Sequence, residues 1–266
     1  MKKAFKSTLS LLLCMIMVFG AVAVGGEGIG VLFNGSKAEA AEYSVGDIIE
    51  FGSYPQSEVT KEDDSATYAK LEATAKKWVS YKYYSGDGSL GSMKQGNWME
   101  YADMDINGDG ANDYRAVRFT QYRPVLTEKP SHLDNSNQDA NGYTINNIYY
   151  FKYEPLQWQV LDPKMGLVLS KSIIDSQAYS NTIYSGFTND AAGENWANDY
   201  VTSSIRKWLN EDFYNTAFTS VQCQNICPTT LDNKAWSSPN RYDSTSTTDN
   251  VFLLSYSEAQ NASYGF

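Results

Sequence analysis

The stretch Leu156-Gln157-Trp158-Gln159-Val160-Leu161 decides how this chain folds. From Gln157 to Val160 polar and apolar residues alternate, the two-residue period of a strand with one buried face and one wet face. Trp158 falls on the apolar face and is assigned to the core. Working outward, Ile148 to Tyr153 reads as a strand of its own, and Gly166 to Ser170 as a buried one. Tyr43 to Phe51 reads as the first strand, stopped by the turn chemistry of Gly52-Ser53-Tyr54-Pro55. Trp98 to Met104 and Tyr114 to Tyr122 read as a hairpin around a Gly/Asp/Asn loop. Val79 to Tyr84 and Val251 to Ser255 complete the strand set.

Helices fall between these strands. Asp63, Asp64 and Ser65 offer N-caps to a helix whose one face carries Tyr68, Leu71, Ala75 and Trp78. The clearest helix opens at Thr202 or Ser203 and carries the apolar stripe Ile205, Trp208, Leu209, Phe213. Trp208 joins Trp158 in the expected core. Thr219-x-x-Gln222 is a capping box for a short helix, and Ser257-Glu258-Ala259 opens another element. Residues 86–96, 130–142, 181–200 and 237–250 read as polar loops. Short strands mixed with a few helices, without βαβ alternation or internal repeat, predict an α+β fold on a mostly antiparallel sheet.

Composition removes several function classes. The chain has 266 residues, 42 % apolar and 20 % charged, which is neither a disordered nor a coiled-coil composition. It has one histidine, His132, so two-histidine metal sites and HExxH helices are excluded. No GxxxxGK[ST] is present.

The first 40 residues read as an export signal. Lys2, Lys3 and Lys6 form a basic start, and Leu9 to Val24 is an apolar run of 16 residues. Ala38-Glu39-Ala40 before Ala41 fits a small-x-small cleavage pattern, and Ala21-Val22-Ala23 is a second candidate. The run falls short of the roughly 20 residues that span a bilayer, so no membrane insertion is expected after cleavage. Residues 41–266 would then form one α+β domain with 17 basic and 29 acidic residues. That balance disfavours nucleic acid and anionic membranes and suits calcium, neutral sugars or a basic partner. Cys223 and Cys227 lack histidine partners for zinc and read as two semi-buried thiols, with a disulfide left open.

One motif has the shape of a metal loop. Asp105-Ile-Asn107-Gly-Asp109-Gly110-Ala111-Asn-Asp113 matches DxNxDGxxD. Calcium takes six to eight oxygens, and such loops supply them from positions 1, 3 and 5, a backbone carbonyl at 7, and position 9 through water, with Gly at 6 for the turn. The expected Ca2+ ligands are Asp105, Asn107, Asp109, Ala111 and Asp113. Ala116 stands where an EF-hand needs its bidentate Glu, so the loop is not an EF-hand. The same residues also suit a plain hairpin turn, and both readings stay open.

The 20 Tyr, 6 Trp and 11 Phe first serve packing. Trp98, Trp196 and Trp236 sit at loop edges and are freer to stack on sugar rings. The leading functional expectation is an exported binding module for a glycan or a surface protein. A carboxylate-dependent hydrolase ranks second, because no pair of acids stands out, and a surface domain without a ligand ranks third.

Four stretches taken together resemble an uncharacterised domain family of exported Gram-positive bacterial proteins, numbered six-two-seven-three. They are Ile49 to Gln56, Glu154 to Asp162, Ser203 to Asn210 with Phe213 and Phe218, and Val251 to Ser255 with Glu258 and Ala259. The resemblance runs from about residue 45 to the end. It implies a scaffold related to the C-type-lectin and formylglycine-generating-enzyme fold, and no catalytic residue. Members usually continue into Trp-Trp-Leu-Arg-Ser and Gly-Val-Arg-Pro motifs that this sequence lacks. The resemblance therefore implies a domain incomplete at its C-terminus.

Overall fold

A computed structural model describes residues 43–81, 99–120, 143–179, 199–234 and 244–266, and the backbone of two short strands at 15–18 and 21–23. The remainder of the expected export signal lies outside the described residues. So do His132, Trp98, Trp196, Trp236, loops 86–96 and 130–142, most of loop 181–200 and half of loop 237–250.

The strands are β1 (Met15–Val18), β2 (Ala21–Ala23), β3 (Ile48–Val59), β4 (Val79–Tyr81), β5 (Met99–Met104), β6 (Tyr114–Phe119), β7 (Ile148–Asp162), β8 (Leu167–Ser170), β9 (Asp175–Ala178), β10 (Thr229–Leu231), β11 (Thr247–Asp249) and β12 (Val251–Phe252). The helices are α1 (Ser65–Ala73), α2 (Ser204–Trp208), α3 (Tyr214–Ala217), α4 (Ser220–Asn225) and α5 (Tyr256–Ala259). A π-turn over Leu209–Phe213 joins α2 to α3. The main sheet runs β12-β2-β8-β7-β6-β5-β4, and β3 lies along the other edge of β7. Every pairing is antiparallel, including the separate pairs β1–β9 and β10–β11. The α+β expectation with a mostly antiparallel sheet holds.

Two strand boundaries differ from the sequence reading. Ile148–Tyr153 and Leu156–Leu161 are one strand of 15 residues. β7 pairs with β6 up to Lys152 and with β8 from Trp158, so Pro155 falls in the interval between the two ladders. A proline without N–H is tolerated there. Likewise β3 does not stop at Phe51 but continues to Val59, with register shifts between Glu50 and Ser53 and between Pro55 and Ser57. The turn-like residues there build bulges inside a strand. Gly52 has φ +76°, and a Cβ on it would meet the Ala217 carbonyl and the Phe218 ring at 2.7 Å. The strand bulges because α3 lies against it.

Shorter differences have local causes. α1 ends at Ala73, so Ala75 and Trp78 lie in the extended segment that leads to β4. β9 and β10 were not expected, and β11 lies inside a segment read as loop. The caps stand as read. Asp64 accepts from Thr67 N, Ser203 from Arg206 N, and Thr219 and Gln222 form the capping box.

The largest core gathers Ile49, Phe51, Leu156, Trp158, Val160 and Val168 of the sheet against Ile205, Leu209, Phe213 and Phe218. Trp158 is fully buried, and its indole N–H donates to Phe51 O at 2.7 Å. Trp208 is buried as expected. A second cluster packs Leu71 of α1 on Ala102, Met104, Ala116 and Tyr150. Among the described residues, no helix is long and apolar enough to cross a membrane.

Candidate functional site

A groove of about 660 Å³ opens where α1 meets the end of β3 and the start of β7. Its size is in the range of small-ligand clefts. One wall is Glu58 to Glu62, at the end of β3 and the turn beyond it. α1 and its C-terminal side supply Tyr68, Glu72 and Lys76, and the entry to β7 supplies Asn146 to Tyr150.

Local sequence explains this wall-building. Asn146 has φ +66°, a conformation asparagine tolerates better than most residues. Its amide donates to Phe119 O at 2.7 Å, tying the turn to β6. Because side chains alternate along a strand, the Tyr149-Tyr150 pair sends one ring to each side. Tyr150 is buried with α1, its ring edge-on to Tyr68 at 5.4 Å between centroids. Tyr149 accepts from Thr144 N at 2.7 Å and stands edge-on to Tyr143.

The groove's polar groups have defined states. Burial, with Asp63 nearby, pushes the Glu58 carboxyl up from its ordinary value. Burial pushes the Tyr150 hydroxyl up to about 12, so it remains a donor at neutral pH. Lys76 donates to the carbonyls of Leu71, Glu72 and Thr74 at 2.7 to 3.3 Å and lies 5.3 Å from the Tyr150 ring centroid. It closes the C-terminal end of α1 and is not free for a ligand. What remains for a ligand is aromatic surface, carboxylates and the Asn146 and Asn147 amides.

The Asp105–Asp113 loop is the β5–β6 hairpin connection. Asp105 accepts from Gly108 N at 2.6 Å and Gly110 N at 2.8 Å. Asn107 Oδ1 accepts from Asp109 N, Asp109 Oδ1 accepts from Ala111 N, and Asp113 accepts from the amides of Ile106 and Asn107. The Gly110 and Gly108 amides hold the Asp105 carboxyl below the usual carboxylate range. Gly110, at φ +90°, makes the turn. Among the described residues, no group of three or more His, Cys, Asp or Glu is positioned to hold a metal ion.

A third polar cluster does mechanical work. Arg115 of β6 holds Asp103 of β5 through two bonds, at 2.7 and 2.9 Å, and donates to the Tyr153 hydroxyl at 3.1 Å. The Tyr153 hydroxyl donates to Asp103 in turn, and the guanidinium lies 4.4 Å from the Tyr101 ring centroid. This network ties three neighbouring strands and lies outside the groove. Cys223 and Cys227 are free thiols, the first half-buried and the second exposed.

Sequence reasoning missed the groove residues. Glu58 stands in the part of β3 read as beyond its end. The Asn146-Asn147 turn and the Tyr149-Tyr150 pair were the signals to follow.

The C-terminal part of the chain carries its own signature: the Arg206 and Asn210 face of α2 and the π-turn meets Asp249 and Val251. Residues 166–265 match the family model of DUF6273, a domain of unknown function. The DUF6273 match begins at the turn before β8 and takes in β8, β9, α2 to α4, β10 to β12 and α5. The Ile49–Gln56 and Glu154–Asp162 stretches fall outside the matched residues, so the match is shorter than the resemblance read from residue 45. No curated protein and no solved structure matches the chain.

Proposed function

We propose that this chain is an exported binding module that takes a neutral glycan in the groove beside α1. One observation carries the reading: a tyrosine, carboxylates and amides line the same cleft, at Tyr68, Glu58, Glu62, Glu72, Asn146 and Asn147. Ring faces stack on sugars, while planar polar groups match paired hydroxyls. The net charge of −10 argues against an anionic ligand. The proposal includes the C-type-lectin-like scaffold that the sequence resemblance implies. The test is a glycan array probed with the full chain, then with Tyr68→Ala and Glu58→Gln. Neutral glycan hits, weakened at least tenfold in both variants, are the expected result. A blank array with a captured surface protein would replace the glycan by a protein ligand.

A second reading rests on Glu58. A carboxyl raised by partial burial, at an exposed position of β3 in a cleft with Glu62 and Glu72, suits a general acid, so a carboxylate-dependent glycosidase is the enzymatic form of the same site. Polysaccharide hydrolysis lost in Glu58→Gln would select it.

Calcium at Asp105, Asn107, Asp109, Ala111 and Asp113 belongs to the proposal as a stabilising ion away from the groove. It is supported by five oxygen-bearing positions and the Gly110 turn. Calorimetry should give heat at up to millimolar calcium, lost in Asp109→Ala. No heat in the intact chain would remove the ion.

A further inference from the structure

The main sheet contains a slot one strand wide. β8 and β12 are not paired with each other; β2 lies between them, antiparallel to both. Ala21, Val22 and Ala23 stand opposite Leu169, Val168 and Leu167 on one side, and Val22 and Ala21 stand opposite Val251 and Phe252 on the other. At about 4.8 Å per strand spacing, the two walls are about 9.6 Å apart.

Both walls are held from outside the slot. β8 is paired along its far edge to β7 at Trp158 to Asp162. β12 has no strand on its far edge among the described residues. There the Asn210 side chain stands in for one, donating Nδ2 to Val251 O at 2.9 Å and accepting from Asn250 N at 2.7 Å and Val251 N at 3.3 Å. Asn210 Nδ2 is fixed in turn on Arg206 O, and Arg206 grips the buried Asp249 at 2.8 Å. An amide side chain used this way satisfies the outer edge and bars a strand from it. The inner edge, flanked by the buried Leu167, Val168, Val251 and Phe252, is the one prepared for a strand.

The occupant has a separate signature in the sequence. Residues 21–23 belong to the apolar run of the export signal, upstream of the cleavage pattern at Ala38 to Ala40. We propose that the space between β8 and β12 is a strand-acceptor slot, that the leader strand Ala21–Ala23 is its built-in occupant, and that removal of the leader frees it for an extended apolar peptide running antiparallel to both walls. This rests on the export reading and is independent of the glycan groove. Backbone pairing supplies the affinity, and the apolar walls select the peptide.

The test uses the full chain with a site-specific protease sequence inserted between Gly30 and Lys37. After cutting and removal of the leader fragment, a labelled peptide of residues 19–25 with lysine ends is titrated in. The expected result is saturable one-to-one binding to the cut chain, at least tenfold weaker binding of the same peptide with Val22→Pro, and none to the uncut chain. Proline removes an amide from the strand and cannot sit in a central position. Amide exchange gives a second readout without cutting. In full-chain Val22→Pro, protection at Val168 and Phe252 is lost, while Leu169, whose amide faces β7, and β5 and β6 keep theirs. Four results would overturn the proposal: no binding to the cut chain, equal binding of both peptides, equal binding to cut and uncut chain, or collapse of the whole sheet when the leader is removed.

Discussion

The two ends of β7 face different chemistry. Its C-terminal half, around Trp158 and Val160, is sealed under α2 and α3 by aliphatic and aromatic residues. Its N-terminal half carries Tyr149, Tyr150 and Tyr153, beside an ion-pair network and an open groove. One strand therefore serves as core at one end and as a platform for polar groups at the other. Apolar packing tolerates approximate solutions, whereas buried polar groups must each find a partner. The Arg115 network does so on this face, and the groove is where polar groups stay open to a ligand.

Breaking the dry half should cost most. Trp158→Ala removes the fully buried indole and its bond to Phe51 O, and should lose about 3–5 kcal/mol in denaturant unfolding. Gly52→Ala brings a Cβ to 2.7 Å from Ala217 O and forces a positive φ on alanine, so about 2–4 kcal/mol is expected in the same measurement. A loss near zero would mean that α3 does not press on the bulge.

In the polar half, Asp103→Ala strands Arg115, whose side chain is 13 % exposed. The expected cost is about 2–3 kcal/mol, below the range for fully buried pairs. The double change Arg115→Met with Asp103→Leu should recover most of it, since an apolar pair leaves no charge without a partner. No recovery would mean that the tyrosines around the guanidinium depend on it.

Alkali should act on both halves through tyrosine. Burial, then Asp175, raises the Tyr54 hydroxyl well above its ordinary value, and burial pushes Tyr150 and Tyr179 up to about 12. The unfolded chain releases these protons near pH 10 and the folded chain does not. Stability is therefore full below about pH 10 and falls as pH rises from there towards about 12. Denaturant midpoints between pH 9 and 11.5 would show the fall, and Tyr54→Phe should reduce its slope. The smallest change is expected in the groove itself. Glu58→Gln should leave the unfolding free energy within about 0.5 kcal/mol of the parent, as surface substitutions do, while weakening ligand binding.

The dry half was legible because its signals are periodic. The alternation around Trp158 and the Ile205–Phe213 stripe each place several residues on one face, and both faces were found. β3 was cut short because Gly52 and Pro55 are turn residues in isolation. Only the press of Ala217 and Phe218 on Gly52, distant in sequence, makes them part of a strand. The groove was hidden for the same reason, since Glu58, Tyr68 and Tyr149 come together through strand pairing and not through spacing. The Asp105–Asp113 loop was legible as a hairpin connection, because Asn, Gly and Asp satisfy its backbone directly.

The most direct test of the groove reading is an amide shift map of the full chain, titrated with the strongest neutral glycan from the array. The account predicts that shifts cluster at Glu58 to Glu62, Tyr68, Glu72 and Asn146 to Tyr149, and vanish in Tyr68→Ala. Binding that shifts other residues, or that survives Tyr68→Ala unchanged, would contradict it.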